Sequence, residues 1–122
     1  MRLTYHALPE QVWRDHPLGA LYAPDSLQSD GFIHTTEGEA ALARVLSAYY
    51  RHDPRPYAAL VIDLDRVQAP WEVGRVAELD ANVPHIHGPL NPEAIVDVVP
   101  LQRTEDGAFI PPAARPSGTG GL

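Results

Sequence analysis

The spacing of apolar and polar residues changes along the chain, and each change marks an element. Leu3-Thr4-Tyr5-His6-Ala7-Leu8 has the two-residue period of a strand, with Leu3 and Tyr5 on one face and Thr4 and His6 on the other. Pro9 suits the first turn of a short helix through Arg14, where its missing N–H removes no intrahelical bond. Residues 15–30 carry loop signals, with Leu18, Leu21 and Tyr22 as the expected anchors to the core. So long a connection is uncommon unless it covers a site. Phe32-Ile33-His34-Thr35 reads as a short strand, and Thr36 followed by Glu39 has the spacing of a capping box. Beyond it, Leu42, Val45, Leu46, Tyr49 and Tyr50 recur as the buried face of a helix, which Pro54 and Pro56 bring to an end.

Strands dominate the second half. The run from Ala58 to Leu64 is almost continuously apolar and β-branched, which predicts a buried strand. Trp71 to Val76 reads as another, with Gly74 at a bulge. Pro84 confines the strand at Val83–His87 to a sheet edge or to its own first residues, and the two-residue period puts His85 and His87 on one face. Ala94 to Leu101 predicts a further strand, and Asp106-Gly107 a hairpin leading to Phe109-Ile110. These elements describe one α+β domain over residues 1–110, followed by a flexible tail over 111–122 rich in Pro, Ala, Ser and Gly.

Composition narrows the chemistry. A length of 122 residues with 44% apolar content suits one modest core. No apolar run approaches the ~20 residues of a membrane span, and no basic segment precedes an apolar one at the amino terminus, so a cytoplasmic protein without a membrane partner is expected. The absence of cysteine excludes disulfides, thiolate nucleophiles and Cys-containing zinc sites, and the absence of lysine excludes Schiff-base chemistry. All nine cationic side chains are arginine, and a net charge of −7 disfavours nucleic acid as a partner. The phosphate-binding glycine loop, the dinucleotide fingerprint, Gly-x-Ser-x-Gly and His-Glu-x-x-His are all missing.

The six histidines are what remains. Imidazole is half ionised near neutrality, and His6, His34, His85 and His87 all fall in strand-like motifs. His16 and His52 stand close to prolines in loops and read as solvent-facing. A strand histidine is more often a partly buried group bonded to backbone than a catalyst, so convergence in one pocket is the expectation that gives these four a function. A divalent-metal site at His6, His34, His85 and His87 is an alternative. Two histidines at i and i+2 without a patterned carboxylate are a weak metal signal, however, and no metal is expected.

Three motifs in order, Tyr5-His6, Gly31-Phe32-Ile33-His34-Thr35-Thr36 and Pro84-His85-Ile86-His87-Gly88-Pro89-Leu90 with Glu93-Ala94-Ile95-Val96, resemble the bacterial and plant "domain of unknown function 952" family over about residues 3–102. The family in turn resembles a compact ADP-ribosyltransferase fold, a split β-sheet with flanking helices that binds NAD in a cleft. That resemblance implies NAD or a related small nucleotide as ligand, with transfer or hydrolysis of ADP-ribose. It implies that His6 meets a ribose hydroxyl and the Ala7 backbone the nicotinamide amide, and that His34, Thr35, Thr36 and His85 line the cleft while Tyr49 or Tyr50 stacks on the ring. Cleavage of the nicotinamide–ribose bond needs an anion or polarised hydroxyl beside an oxocarbenium-like centre, for which Glu72, Glu93, His34 and His87 are the candidates. A small-ligand or protein-interaction module without catalysis is the competing reading, and no protein partner is indicated.

Overall fold

The centre of the molecule is the strand the sequence marks most strongly. In the computed structural model, which describes residues 1–112, Tyr57–Asp63 (β3) is buried at every position because both of its faces are covered. It lies between Leu3–Pro9 (β1) and Ile95–Pro100 (β6), antiparallel to both. On one face, Leu42 and Leu46 of the helix Glu39–Tyr50 (α3) pack on Tyr57, Ala59, Val61, Val99 and Phe109. On the other, Leu60 and Ile62 meet Leu8, Tyr22, Leu90 and the second sheet through Ile33 and Ile86. That sheet has the order β2-β5-β4, formed by Ile33–His34 (β2), Trp71–Val76 (β4) and Ala81–Ile86 (β5). Two short helices, Glu10–Asp15 (α1) and Asp25–Ser29 (α2), occupy the connection between β1 and β2. The architecture is α+β, with two three-stranded antiparallel sheets and a few helices.

Residues 33–37 join the sheets. Ile33 and His34 pair with Ile86 and His85, and then Thr36 exchanges two backbone hydrogen bonds of 2.9 Å with Tyr5 at the free edge of β1. A buried hydroxyl relay reinforces the seam: Thr4 Oγ1 donates to Thr35 Oγ1 at 2.8 Å, which donates to the Pro84 carbonyl at 2.7 Å. At the far end of α3, Arg103 donates to the carbonyls of Tyr50, Arg51, Asp53, Arg55 and Gly107 and lies 4.3 Å from the Phe109 ring centre. It thereby satisfies carbonyls that a helix end leaves without partners.

Several expectations are corrected. Pro84 lies in the central strand of its sheet and past the first residues of Ala81–Ile86, so neither expected placement holds. The N–H and C=O of one strand residue point the same way, and the Pro84 carbonyl faces Thr35, so the absent N–H falls where β2 has already ended. The capping box does not form: Thr36 is bound into the seam and α3 starts after Gly38, at φ 90°. Of the three expected loop anchors Leu18 and Leu21 are exposed, whereas Tyr22 is buried and pairs with Leu90, with Leu27 also packed on the core. Tyr49 and Tyr50 are also exposed, because the last turn of α3 overhangs a cleft. The Asp106-Gly107 hairpin is present as a short turn closed by the Arg103–Phe109 bridge. Of the expected tail, residues 113–122 lie outside the described residues, and Pro112 is buried.

Candidate ligand-binding cleft

A cleft of roughly 570 Å³ opens where β1, the second sheet and α3 diverge. Tyr5 and Ala7 form its β1 wall, with Leu42, Val45, Leu46, Tyr49 and Tyr50 from α3 opposite. Val76, Val83, His85, His34, Thr35 and Thr36 come from the second sheet and the seam, and Ser26 and Asp30 close one end. A second cleft of about 710 Å³ adjoins it and shares His6, Ala7, Ser26 and Tyr50, so the two form one groove with two lobes.

His6 is 7% exposed and fully hydrogen-bonded. Its Nδ1 lies 2.7 Å from the His34 carbonyl, which can only accept, so Nδ1 carries the proton and Nε2 accepts from the Tyr22 hydroxyl at 2.8 Å. Burial pushes this imidazole down to about 4, against the opposing effect of the bond to His34, and burial pushes the Tyr22 phenol up. Both groups are therefore neutral at pH 7. The expected contact between His6 and a ribose hydroxyl would have to displace one of these partners.

The exposed chemistry belongs to His34 and its neighbours. His34 Nε2 lies 2.7 Å from Asp30 Oδ2, and this bond holds the Asp30 carboxyl below the usual carboxylate range. Asp30 ends α2, and Gly31, at φ 85°, turns the chain so that Asp30 folds back onto the strand that follows. The Phe32 ring stacks on His85 at 3.9 Å with 19° between the planes. His85 occupies room left by Gly74, where a Cβ would lie 3.1 Å from the imidazole Cε1. Burial, and after it the proximity of His34 and His87, lowers the pKa of His85.

Of the residues singled out in the sequence, the cleft gathers His6, Ala7, His34, Thr35, Thr36, Tyr49, Tyr50 and His85. It does not include His87, Glu72 or Glu93. His87 pairs with Glu72 at 2.8 Å and approaches the group only through Phe32, at 5.8 Å. Glu93 lies in the turn at Pro92–Ala94, where its carboxylate accepts from Asn91 at 3.3 Å. The carboxylate that lines the cleft among the described residues is Asp30. Sequence reasoning missed it because Asp-Gly reads as punctuation, although its separation from His34 by four residues across a turn-forming glycine was a usable signal. Tyr22 was legible as an anchor but not as the partner of His6. Among the described residues no group of three or more His, Asp or Glu side chains is placed to hold a metal ion. With both His6 nitrogens engaged, the four-histidine metal site has lost one of its ligands. No helix among the described residues is long and apolar enough to cross a membrane.

The fold and site together define a small α+β domain in which two sheets and the helix α3 border a cleft lined by histidine and tyrosine. The chain belongs to the family described as Protein of unknown function (DUF952), whose sequence model matches residues 7–98. Among solved structures it is similar to crystal structures of protein CC0527 from Caulobacter crescentus and of a double mutant of that protein, with TM-scores of 0.70 and 0.69. Both are 22% identical in sequence, and each comparison covers 88% of this chain and 93% of the other, so the fold is shared. None of the curated proteins matches.

Proposed function

We propose that the cleft binds a small nucleotide-like ligand, with NAD as the first candidate. The observation that carries this reading is the lining: apolar and tyrosine side chains together with the polar groups of Asp30, His34 and Ser26, in a volume typical of ligand sites. A flat ring suits the first part and ribose hydroxyls the second, since an acidic side chain is a common acceptor for a ribose hydroxyl. The adjoining lobe gives room for the rest of a dinucleotide. This reading departs from the expected residue roles at one point. His6 supports the cleft from beneath, and the direct polar contacts fall to Asp30 and His34. Binding is favoured over transfer of ADP-ribose because neither Glu72 nor Glu93 lines the cleft.

The test is titration calorimetry together with thermal unfolding in NAD, ADP-ribose and nicotinamide. A ligand at one hundred times its Kd stabilises the folded state by about 2.7 kcal/mol, which a small domain reports as a rise of several degrees in Tm. The expected result is stabilisation by NAD that Tyr50→Ala weakens. No heat of binding and no shift with any of the three at millimolar concentration would remove the nucleotide reading.

A further inference from the structure

The charges of the cleft say more about its ligand than its volume does. Among the described residues no arginine lines the first lobe, in a chain that has no lysine. The ionisable groups that do line it are Asp30, the imidazoles of His6, His34 and His85, and the phenols of Tyr5, Tyr49 and Tyr50. Asp30 is ionised at neutral pH, its carboxyl being held low by His34, whereas burial keeps His6 and His85 uncharged. Burial, and secondarily the charge of Glu39, keeps the Tyr5 phenol protonated. Tyr5, Tyr49 and Tyr50 contribute aromatic rings and hydroxyls to the lining. Ring faces carry negative quadrupole potential and attract cations, most strongly where water is partly excluded. Tyr49 and Tyr50 are 65% and 42% exposed at the rim although they belong to a helix with a well-packed inner face. Two exposed tyrosines and a carboxylate bonded to the neighbouring His34 imidazole line this lobe without any arginine, and in a protein of net charge −7 such a lobe attracts positive charge and repels phosphate.

We propose that this lobe selects a positively charged aromatic heterocycle, such as an N-substituted pyridinium, over its neutral and anionic counterparts. The inference deepens the nucleotide reading by assigning which end of such a ligand enters the lobe: the cationic ring goes in, and any phosphate stays out. The rest of such a ligand would lie toward the second lobe, which is lined by Asp25 and by Arg55, the latter paired with Asp53 at 2.7 Å.

Three probes of one size separate the alternatives: N1-methylnicotinamide, which is cationic, nicotinamide, which is neutral, and nicotinate, which is anionic. Affinities measured by calorimetry at pH 7.5 should follow that order. The cation should bind about tenfold more tightly than the neutral ring, from cation–π attraction and the nearby carboxylate together. Asp30→Asn and, separately, Tyr50→Leu should each reduce the ratio, and added salt should reduce it in the wild type. Asp30 is half exposed, and circular dichroism checks that the variants are folded. Equal affinity for the cation and the neutral ring in the wild type overturns the proposal, as does a ratio that Asp30→Asn leaves unchanged. NAD binding without cation preference would overturn this inference and leave the nucleotide reading standing. Preference for the methylated cation without any NAD binding would do the reverse, and binding of none of these compounds overturns both.

Discussion

Replacing His6 tests whether this buried imidazole is structural, and its pH dependence gives the test a signature that simple loss of packing lacks. The imidazole falls from an ordinary value of 6.5 to about 4 in the folded protein because burial disfavours its charged form. In the unfolded chain the proton binds below about pH 6.5, whereas the folded protein takes it up only near pH 4, so unfolding takes up a proton between these values. Stability is therefore full above pH 6.5 and falls as the pH drops toward 4, by about 3 kcal/mol at 1.36 kcal/mol per pH unit. The carboxylates whose pKa values are lowered, Asp30 and Asp53 among them, lose their contribution at lower pH still. His85 contributes in the same direction as His6, so the variant must be compared with the wild type point by point. At pH 7, His6→Phe removes two hydrogen bonds and leaves the Tyr22 hydroxyl and the His34 carbonyl without partners, at about 1–3 kcal/mol each. Urea unfolding should show a loss of about 2–5 kcal/mol at pH 7 that shrinks at pH 4.5, because the variant has no buried imidazole to protonate. His6→Phe with Tyr22→Phe should lose less than the sum of the single variants, since the hydroxyl is no longer stranded. Parallel profiles for wild type and His6→Phe between pH 7 and 4.5 would refute the reasoning.

Two further outcomes follow from local geometry. Arg103→Met keeps part of the packing on Phe109 but removes the guanidinium from five carbonyls, of which, among the described residues, that of Tyr50 alone keeps a backbone donor, from Asp53; denaturant unfolding should report a loss of about 2–4 kcal/mol, and a loss under 0.5 kcal/mol would show that water replaces the guanidinium without cost. Gly74→Val should push the His85 ring off its place beside Phe32, because even the first carbon of the new side chain meets the imidazole; an unchanged His85 ring shift in the proton NMR spectrum would contradict this.

What the sequence could reveal of the fold follows from how burial is distributed. β3 was legible because a strand covered on both faces needs apolar residues at successive positions, and Tyr57–Asp63 supplies them. The faces of β1 were legible for the complementary reason: Thr4, His6 and Leu8 turn to the second sheet while Tyr5 and Ala7 turn to α3. The place of β5 was not legible, because the rule that proline marks an edge concerns one N–H and its direction. Only the pairing of Thr35 with Pro84 shows that the missing N–H faces the residue at which the ladder of β2 stops. Thr36 misled for a similar reason, since a residue can cap a helix or join a seam, and the pairing with Tyr5 takes it.

The site was legible in its parts and not in their roles. Residue type flags every histidine alike, yet their environments divide them. His6 spends both nitrogens holding the strand beneath His34, His87 is turned toward Glu72, and His85 lies flat between Phe32 and Gly74. Only His34 is both exposed and paired with a carboxylate inside the cleft. The two glutamates were candidates because the resemblance implies a carboxylate on a later strand; Asp30 is suitable because Gly31 folds it back in space. A variant that straightens this turn should therefore separate Asp30 from His34 without touching either side chain. Gly31→Val does so, because a β-branched residue is strained at a φ of 85° although nothing lies within 4 Å of the new carbon. If the polar end of the cleft depends on the turn, Gly31→Val lowers the cation-to-neutral affinity ratio as Asp30→Asn does. An undiminished ratio would show that the carboxylate is held in place by contacts other than the turn.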